Sequence, residues 1–82
     1  NPFNPATTIN FFLENKTFVE IEIFNLLGQK IISLANQEFE NGEHNLLWNG
    51  TDSFGKKVSS GLYLYRIKTE NNILINKMLL VK

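Results

Sequence analysis

The 82-residue chain has no cysteine. This rules out disulfide staples, thiolate metal sites and cysteine nucleophiles together, and leaves the redox compartment open. Histidine and aspartate are nearly missing too: His44 and Asp52 stand alone. One of each cannot supply the usual three or four side-chain ligands of a metal site without help from glutamates. No excess of either charge exists. Eight basic residues balance eight acidic ones, which argues against a nucleic-acid footprint and against a patch for anionic membranes. No unbroken apolar run, Met78 to Val81 included, exceeds four residues, so no segment is long enough to insert as a membrane helix. Proline occurs at Pro2 and Pro5 and nowhere else, which keeps the first residues extended and out of a central ladder.

What remains is the composition of an ordinary globular domain, 43% apolar and 20% charged. A mass of 9.4 kDa allows one domain, with a compact core but no roomy catalytic cleft. Twelve asparagines point to a chain dense in turns. The chain starts at Asn1, without Met or signal peptide, and reads as a piece of something longer.

The dominant hydrophobic period is two. In Thr17 to Asn25, Val19, Ile21 and Ile23 point one way, and Glu20 and Glu22 the other. Glu43 to Asn49 puts His44, Leu46 and Trp48 on one face, and Leu62 to Lys68 aligns Tyr63, Tyr65 and Ile67. Thr8 to Leu13, Lys30 to Leu34 and Ile73 to Val81 are further strands, the last with weak alternation around Asn76 and Lys77 that predicts a bulge or a strand end. Asn41-Gly42 and Asn49-Gly50 suit positive φ at both turn positions, Asn71-Asn72 serves a final hairpin, and Gly28 allows a tight reversal after Leu26-Leu27. No stretch reads as an amphipathic helix. Short strands at this spacing predict a small all-β sandwich or barrel, with Val19, Ile21, Ile23, Leu46, Trp48, Tyr63 and Tyr65 inside. The final hairpin is expected to supply a large part of that core, and Val58 to plug it from the long loop Asn49 to Ser60.

Few residues carry chemistry. His44, in phase with Leu46 and Trp48, reads as lining or rimming the core. Ser53, His44 and Asp52 lack a G-x-S-x-G elbow. Glu20 and Glu22 read as a solvated strand face rather than as paired catalytic acids, since a glycosidase needs a walled cleft. The loop Asn49 to Gly55 offers oxygens at 49, 51 and 53, but its glycine falls at the seventh position instead of the sixth and its twelfth residue is Ser60, not Glu. Turn-stabilising Asx bonds explain it better than calcium. Trp48, Tyr63 and Tyr65 have the rings of a sugar platform but the phase of a core. Asn15-Lys16-Thr17 and Asn49-Gly50-Thr51 match the glycosylation sequon. No catalytic residue, cofactor or metal ligand is expected, and the chain does not read as an enzyme.

Several motifs run in a fixed order. Asn1-Pro2-Phe3-Asn4-Pro5 and Thr7-Thr8-Ile9 open the chain, followed by Asn25-Leu26-Leu27-Gly28-Gln29. Gly42, His44 and Trp48-Asn49-Gly50-Thr51-Asp52 come next, then Gly55, Val58, Ser60-Gly61-Leu62-Tyr63 and Tyr65-Arg66. Lys77-Met78-Leu79-Leu80-Val81-Lys82 closes it. In this order and spacing, over residues 1–82, the chain resembles the C-terminal sorting domain of type IX secretion, type A, a group related to the Ig-like domain of the flagellar hook-capping protein. The family carries Asp where Asn49 stands before Gly50.

The resemblance implies an Ig-like antiparallel β-sandwich of about seven strands, a single C-terminal sorting domain excised from a larger secreted protein of a Bacteroidota-type bacterium. It implies a covalently fused N-terminal cargo, transit through the periplasm, and arrival at the cell surface or in the medium. The implied partners are the type IX translocon and a cell-surface sortase that cuts upstream of Asn1, with no nucleic acid and no membrane insertion. Family motifs cluster from Ser60 onward, which makes Gly61, Tyr63, Lys77, Met78 and Lys82 the sorting-motif candidates. A carbohydrate-binding module and a structural Ig-like accessory module are the competing readings.

Overall fold

A computed structural model describes residues 6–81 of the chain. Six strands follow one another: β1 (Thr7–Leu13), β2 (Thr17–Phe24), β3 (Lys30–Phe39), β4 (Gly42–Trp48), β5 (Gly61–Lys68) and β6 (Ile73–Leu80). They form two antiparallel sheets, a two-stranded one in the order β1-β4 and a four-stranded one in the order β3-β2-β5-β6. Among the described residues the sandwich thus has six strands, against about seven implied by the resemblance.

The core lies where the alternation of β1, β2 and β5 meets the end of β4. Ile9, Val19, Ile21, Ile23, Trp48 and Leu80 are essentially inaccessible, and Leu13, Tyr63 and Ile67 nearly so. The Trp48 ring meets Tyr63 edge-on at 5.1 Å between centroids, and its indole N–H donates to the Thr51 carbonyl at 2.9 Å. Each ring thus buries its body while a polar tip finds a backbone partner, since the Tyr63 hydroxyl donates to the Ser59 carbonyl at 2.6 Å. Val58 packs against the core from the long loop, as expected. Leu46 and Tyr65 depart from expectation, being half-buried. Both pack against the core cluster from its margin.

Three local expectations also change. The strand from Lys30 runs on to Phe39, because the β2–β3 register slips twice and leaves Ile31 and Leu34 without partners. Each slip inserts a residue within the first half, while the second half, Ala35 to Phe39, is polar and exposed at Asn36, Gln37 and Glu38 and so shows no apolar alternation. At the two Asn-Gly pairs only the glycine has positive φ, +116° at Gly42 and +77° at Gly50, and no described non-glycine residue does. Gly42 opens β4 itself, so Glu40-Asn41 makes the turn and no mirror-image two-residue loop forms. β6 holds an unbroken register against β5 from Gly61↔Leu80 to Lys68↔Ile73, without the expected bulge or break at Asn76 and Lys77.

The final hairpin forms as expected, closed by Thr69 to Asn72. It supplies Tyr63, Ile67 and Leu80 to the buried core, with Tyr65 and Met78 packed against it, but within β6 Ile73, Leu74, Ile75 and Leu79 stay more than half exposed. The physical reason is a mismatch of widths: a two-stranded sheet cannot cover a four-stranded one. The centre of the core is nonetheless tight, and Ile21→Ala should cost about 2–5 kcal/mol, a large share of the roughly 5–15 kcal/mol typical of a domain. Urea unfolding followed by Trp48 fluorescence measures it. A loss below 1 kcal/mol would mean that β2 is not the middle of the core.

Candidate functional site

The sorting-motif candidates do not converge on one surface. Gly61 starts β5 opposite Leu80 with φ +146°, and an added Cβ there would meet nothing within 4 Å. Its requirement is therefore conformational, since an L side chain is strained at that angle whatever the space. Tyr63 is buried in the core, and Met78, its direct partner across the β5–β6 ladder, is half-buried against the same cluster. Lys77 sits opposite Leu64 and is exposed. Lys82 lies outside the described residues, as does the Asn1 to Pro5 motif. Of the described candidates, then, Lys77 alone presents its side chain to an approaching partner.

Around Lys77 the structure exposes what the sequence pattern did not show. β6 is the edge of the four-stranded sheet, and its outward face carries Ile73, Ile75, Lys77 and Leu79 beside Leu62 and Leu64 of β5. Beneath its other face, between β6 and β1, runs a groove of about 800 Å³ lined by Phe11, Leu13, Tyr65, Ile67, Leu74 and Asn76, among others. The missed signal was the run Ile73-Leu74-Ile75, apolar in both phases. Such a run fits a strand buried on both faces, and equally one at an uncovered edge.

Two loops at the same pole of the sandwich share one design. In Asn25-Leu26-Leu27-Gly28-Gln29, the Asn25 side-chain oxygen accepts the amides of Leu27 (3.0 Å) and Gln29 (2.9 Å). The Asn25 amide donates to the Gln29 carbonyl, and Gly28, at φ +85°, donates to the Asn25 carbonyl. Asp52-Ser53-Phe54-Gly55-Lys56 repeats every bond: Asp52 Oδ1 accepts from Phe54 (2.9 Å) and Lys56 (3.0 Å), Asp52 donates to Lys56, and Gly55 to Asp52. Asn49 Oδ1 meanwhile accepts the Thr51 hydroxyl at 2.7 Å. The oxygens that invited a calcium reading are thus engaged in turn bonds, and among the described residues no group of three or more His, Asp or Glu side chains is placed to hold a metal. Leu27 and Phe54 occupy the matching third position of the two turns and are the most exposed large apolar residues described, at 85% and 88%.

Other polar residues also stabilise structure. His44 stacks on Phe11 and meets Phe39 edge-on, at 5.3 and 5.0 Å, rimming the core as expected. Its Nε2 lies 2.7 Å from the Glu40 carbonyl, which accepts only, so Nε2 carries the proton. Glu22 is more than a solvated strand residue. It bridges Lys30 (2.9 Å) and Arg66 on neighbouring strands, and Arg66 lies over the Phe24 ring at 5.3 Å. The hydrogen bond from Lys30 holds the Glu22 carboxyl below its ordinary range, helped by Arg66 and opposed by desolvation. Trp48 and Tyr63 are buried, and the exposed rings of Phe12, Phe18 and Phe54 belong to three separate segments, so the described aromatics form no row for a sugar to stack on.

Two outcomes follow from these bonds. Asn25→Ala and Asp52→Ala should each cost about 1–2 kcal/mol, while Asp52→Asn should be near neutral, because the turn needs an accepting oxygen and not a charge. Chemical denaturation of the three variants decides it; a large loss in Asp52→Asn alone would point to a charge-dependent role. The lowered Glu22 pKa stabilises the fold above the unfolded carboxylate range, and that contribution is lost as pH falls through the folded value. The stability difference between the native chain and Glu22→Gln should therefore shrink on acidification, and a difference that grows would contradict the bridge.

Comparison with known proteins comes to the same architecture. A search of curated proteins finds no significant match. Among solved structures, FlgD from P. aeruginosa superposes with a TM-score of 0.72 at 18% identity, over 92% of this chain and 59% of that one. FlgD from Xanthomonas campestris, described as a hook-capping protein essential for flagellar assembly, gives 0.66 at 22% identity, over 94% and 55%. Dimeric latent PorU from Porphyromonas gingivalis gives 0.69 at 22% identity, over 96% of this chain but 8% of PorU. The chain thus spans little more than half of the FlgD chains and a small part of PorU, and these likenesses establish the fold. The family of secretion system C-terminal sorting domains matches residues 1–82, the whole sequence, and this chain belongs to it.

Proposed function

We propose that the chain is the non-catalytic sorting signal of a type IX secretion cargo, carried at the C-terminal end of a larger protein. The full-length family match carries this reading. The cargo would be fused ahead of Asn1, pass through the periplasm, and reach the cell surface or medium, where a sortase removes the domain. The physical character of the chain supports it. A tag must fold independently of its cargo, and the core closes within β1 to β6. A tag must also offer a receptor something other than chemistry, and the strongest such feature is the exposed β5–β6 edge with Lys77. Gly61, Tyr63 and Met78 then serve sorting by holding that hairpin in shape, while Lys77 and Lys82 are the residues a translocon reads.

Fusing the chain to a fluorescent passenger with an export signal tests this in a host that has the type IX apparatus. The intact fusion should reach the surface or medium with the domain clipped off. Lys77→Gln combined with Lys82→Gln removes two charges at small cost to stability, about 0.5 kcal/mol or less for surface changes, and should leave a folded fusion in the periplasm. Equal secretion of that variant would exclude the lysines. Retention of the intact fusion, in a host exporting its own cargo, would reject the sorting function. Secretion without clipping would keep the sorting role and remove the sortase from it.

A further inference from the structure

Four strands have a free edge, but they are not equally guarded. β3 is bent by two register slips and carries Lys30 and Glu38. β4 is short and carries Glu43 and His44. β1 is uncharged, and its residues from Asn10 to Leu13 form the far wall of the groove. β6 is eight residues long, unbroken in register, and exposes Ile73, Leu74, Ile75 and Leu79 with one charge among them. A long, regular, apolar edge is the kind that soluble proteins normally blunt with bulges, prolines or several charges. Here it is left open above a groove.

Resting on the sorting reading, we infer that the β6 edge receives an extended strand from a partner protein, one that alternates apolar residues and places a carboxylate opposite Lys77. Three observations define this partner. First, the strand geometry is already in place, because the edge offers a row of backbone groups in regular spacing. The Lys77 amide donates to the Asn76 side-chain oxygen at 2.8 Å, a local bond of the sort that stands in for a ladder partner and is exchanged for one. Secondly, side chains of an added strand fall alternately on the two faces of the sheet. Those on one face meet Ile73, Ile75 and Leu79, and those on the other enter the groove beside Leu74. The first set calls for apolar residues, while the groove, lined by Asn10, Asn71, Asn72 and Asn76 beside Leu74, suits small polar ones, so an alternating strand fits both faces.

The third observation is charge. The ion pairs of the described residues engage Lys16, Lys30 and Arg66, and none engages Lys77. An opposite charge directly across a strand pair is favourable and a like charge unfavourable. A second copy of the chain does not meet this requirement, since β6 contains no carboxylate and edge-to-edge pairing leaves both Lys77 side chains without an anion. A partner strand with Asp or Glu at that position meets it.

The test supplies the strand as an extension of the chain. A short Gly-rich turn after Lys82 leads into a strand of about seven residues, alternating Val and Thr, with Glu at the position facing Lys77. Tethering sets an effective concentration on the order of millimolar, enough for a weak strand to pair. A twin carries Lys at that position, and a third extension of equal length has Pro at alternate positions and cannot join a ladder. Hydrogen exchange should show β6 amides about fivefold better protected with the Glu strand than with the Lys strand, and Lys77→Glu should reverse the order. In the secretion assay the Glu-strand fusion should stay in the periplasm while the Pro extension is exported like the unextended chain. Equal protection by both strands, or protection appearing on β1 or β3 instead, would overturn the inference. So would export of the Glu-strand fusion at the unextended rate, retention of the Pro extension to the same degree, or a dimer of the unextended chain with β6 protected. If the unextended fusion itself fails to be exported, the sorting reading falls on that result alone, and the exchange comparison still decides whether the edge accepts a strand.

Discussion

The constraint on which the rest of the structure depends is a mismatch of widths. Two strands, β1 and β4, must cover the inward face of four. They succeed in the middle, where Ile9 and Trp48 close over Val19, Ile21, Ile23 and Tyr63. Away from that centre, cover runs out. Tyr65 remains half-exposed, and β6 carries exposed apolar residues on both faces. In a small domain this is a real cost, because little apolar surface is available to bury in the first place.

The pole at which β2, β4 and β6 end and β1, β3 and β5 begin is organised differently. Its two five-residue turns are built on one Asx side chain each, and the loop turn is tied to the sheet where the Ser53 amide and hydroxyl donate to the Ile31 carbonyl, each at 3.0 Å. Backbone bonds of this density explain why a long connection in so small a domain is ordered. They also explain why Asn25, Gly28, Asp52 and Gly55 sit in motifs of fixed spacing: each fills a conformational or hydrogen-bonding position that few residues can fill. The literal quality of these motifs is thus largely a property of turns, and the surface that distinguishes the domain lies elsewhere, on the hairpin of β5 and β6.

How much of this was legible in the sequence varies by element. β2 and β5 were plain, because one of their faces is buried and the other solvated, and period two follows directly. The second half of β3 was hidden, since Asn36, Gln37 and Glu38 are all polar and exposed and leave no apolar alternation to read. β6 was plain as a strand but its open face was not, because an apolar run does not say whether a second sheet covers it. Only the strand order reveals that. Tyr63 and Met78, both sorting candidates, face each other across one ladder rung and pack against the core, a placement that only the register reveals. Lys77 was legible as an exposed charge, while its isolation from any carboxylate among the described residues needed the structure. The two Asx turns escaped notice as a pair because Asn-Leu-Leu-Gly and Asp-Ser-Phe-Gly share a pattern of roles more than of residues.

A folded tag with an uncovered edge is the centre of this account, and hydrogen exchange on the unmodified 82-residue chain tests it most directly. Exchange protection tracks how well a strand is paired and covered. The account requires a gradient across the four-stranded sheet, with β2 amides exchanging through opening of the whole domain and alternate amides of β6 exchanging far faster. Slow exchange along all of β6, matching that of β2, would mean that its outer edge is already covered, and would contradict the claim that it stands open for a partner.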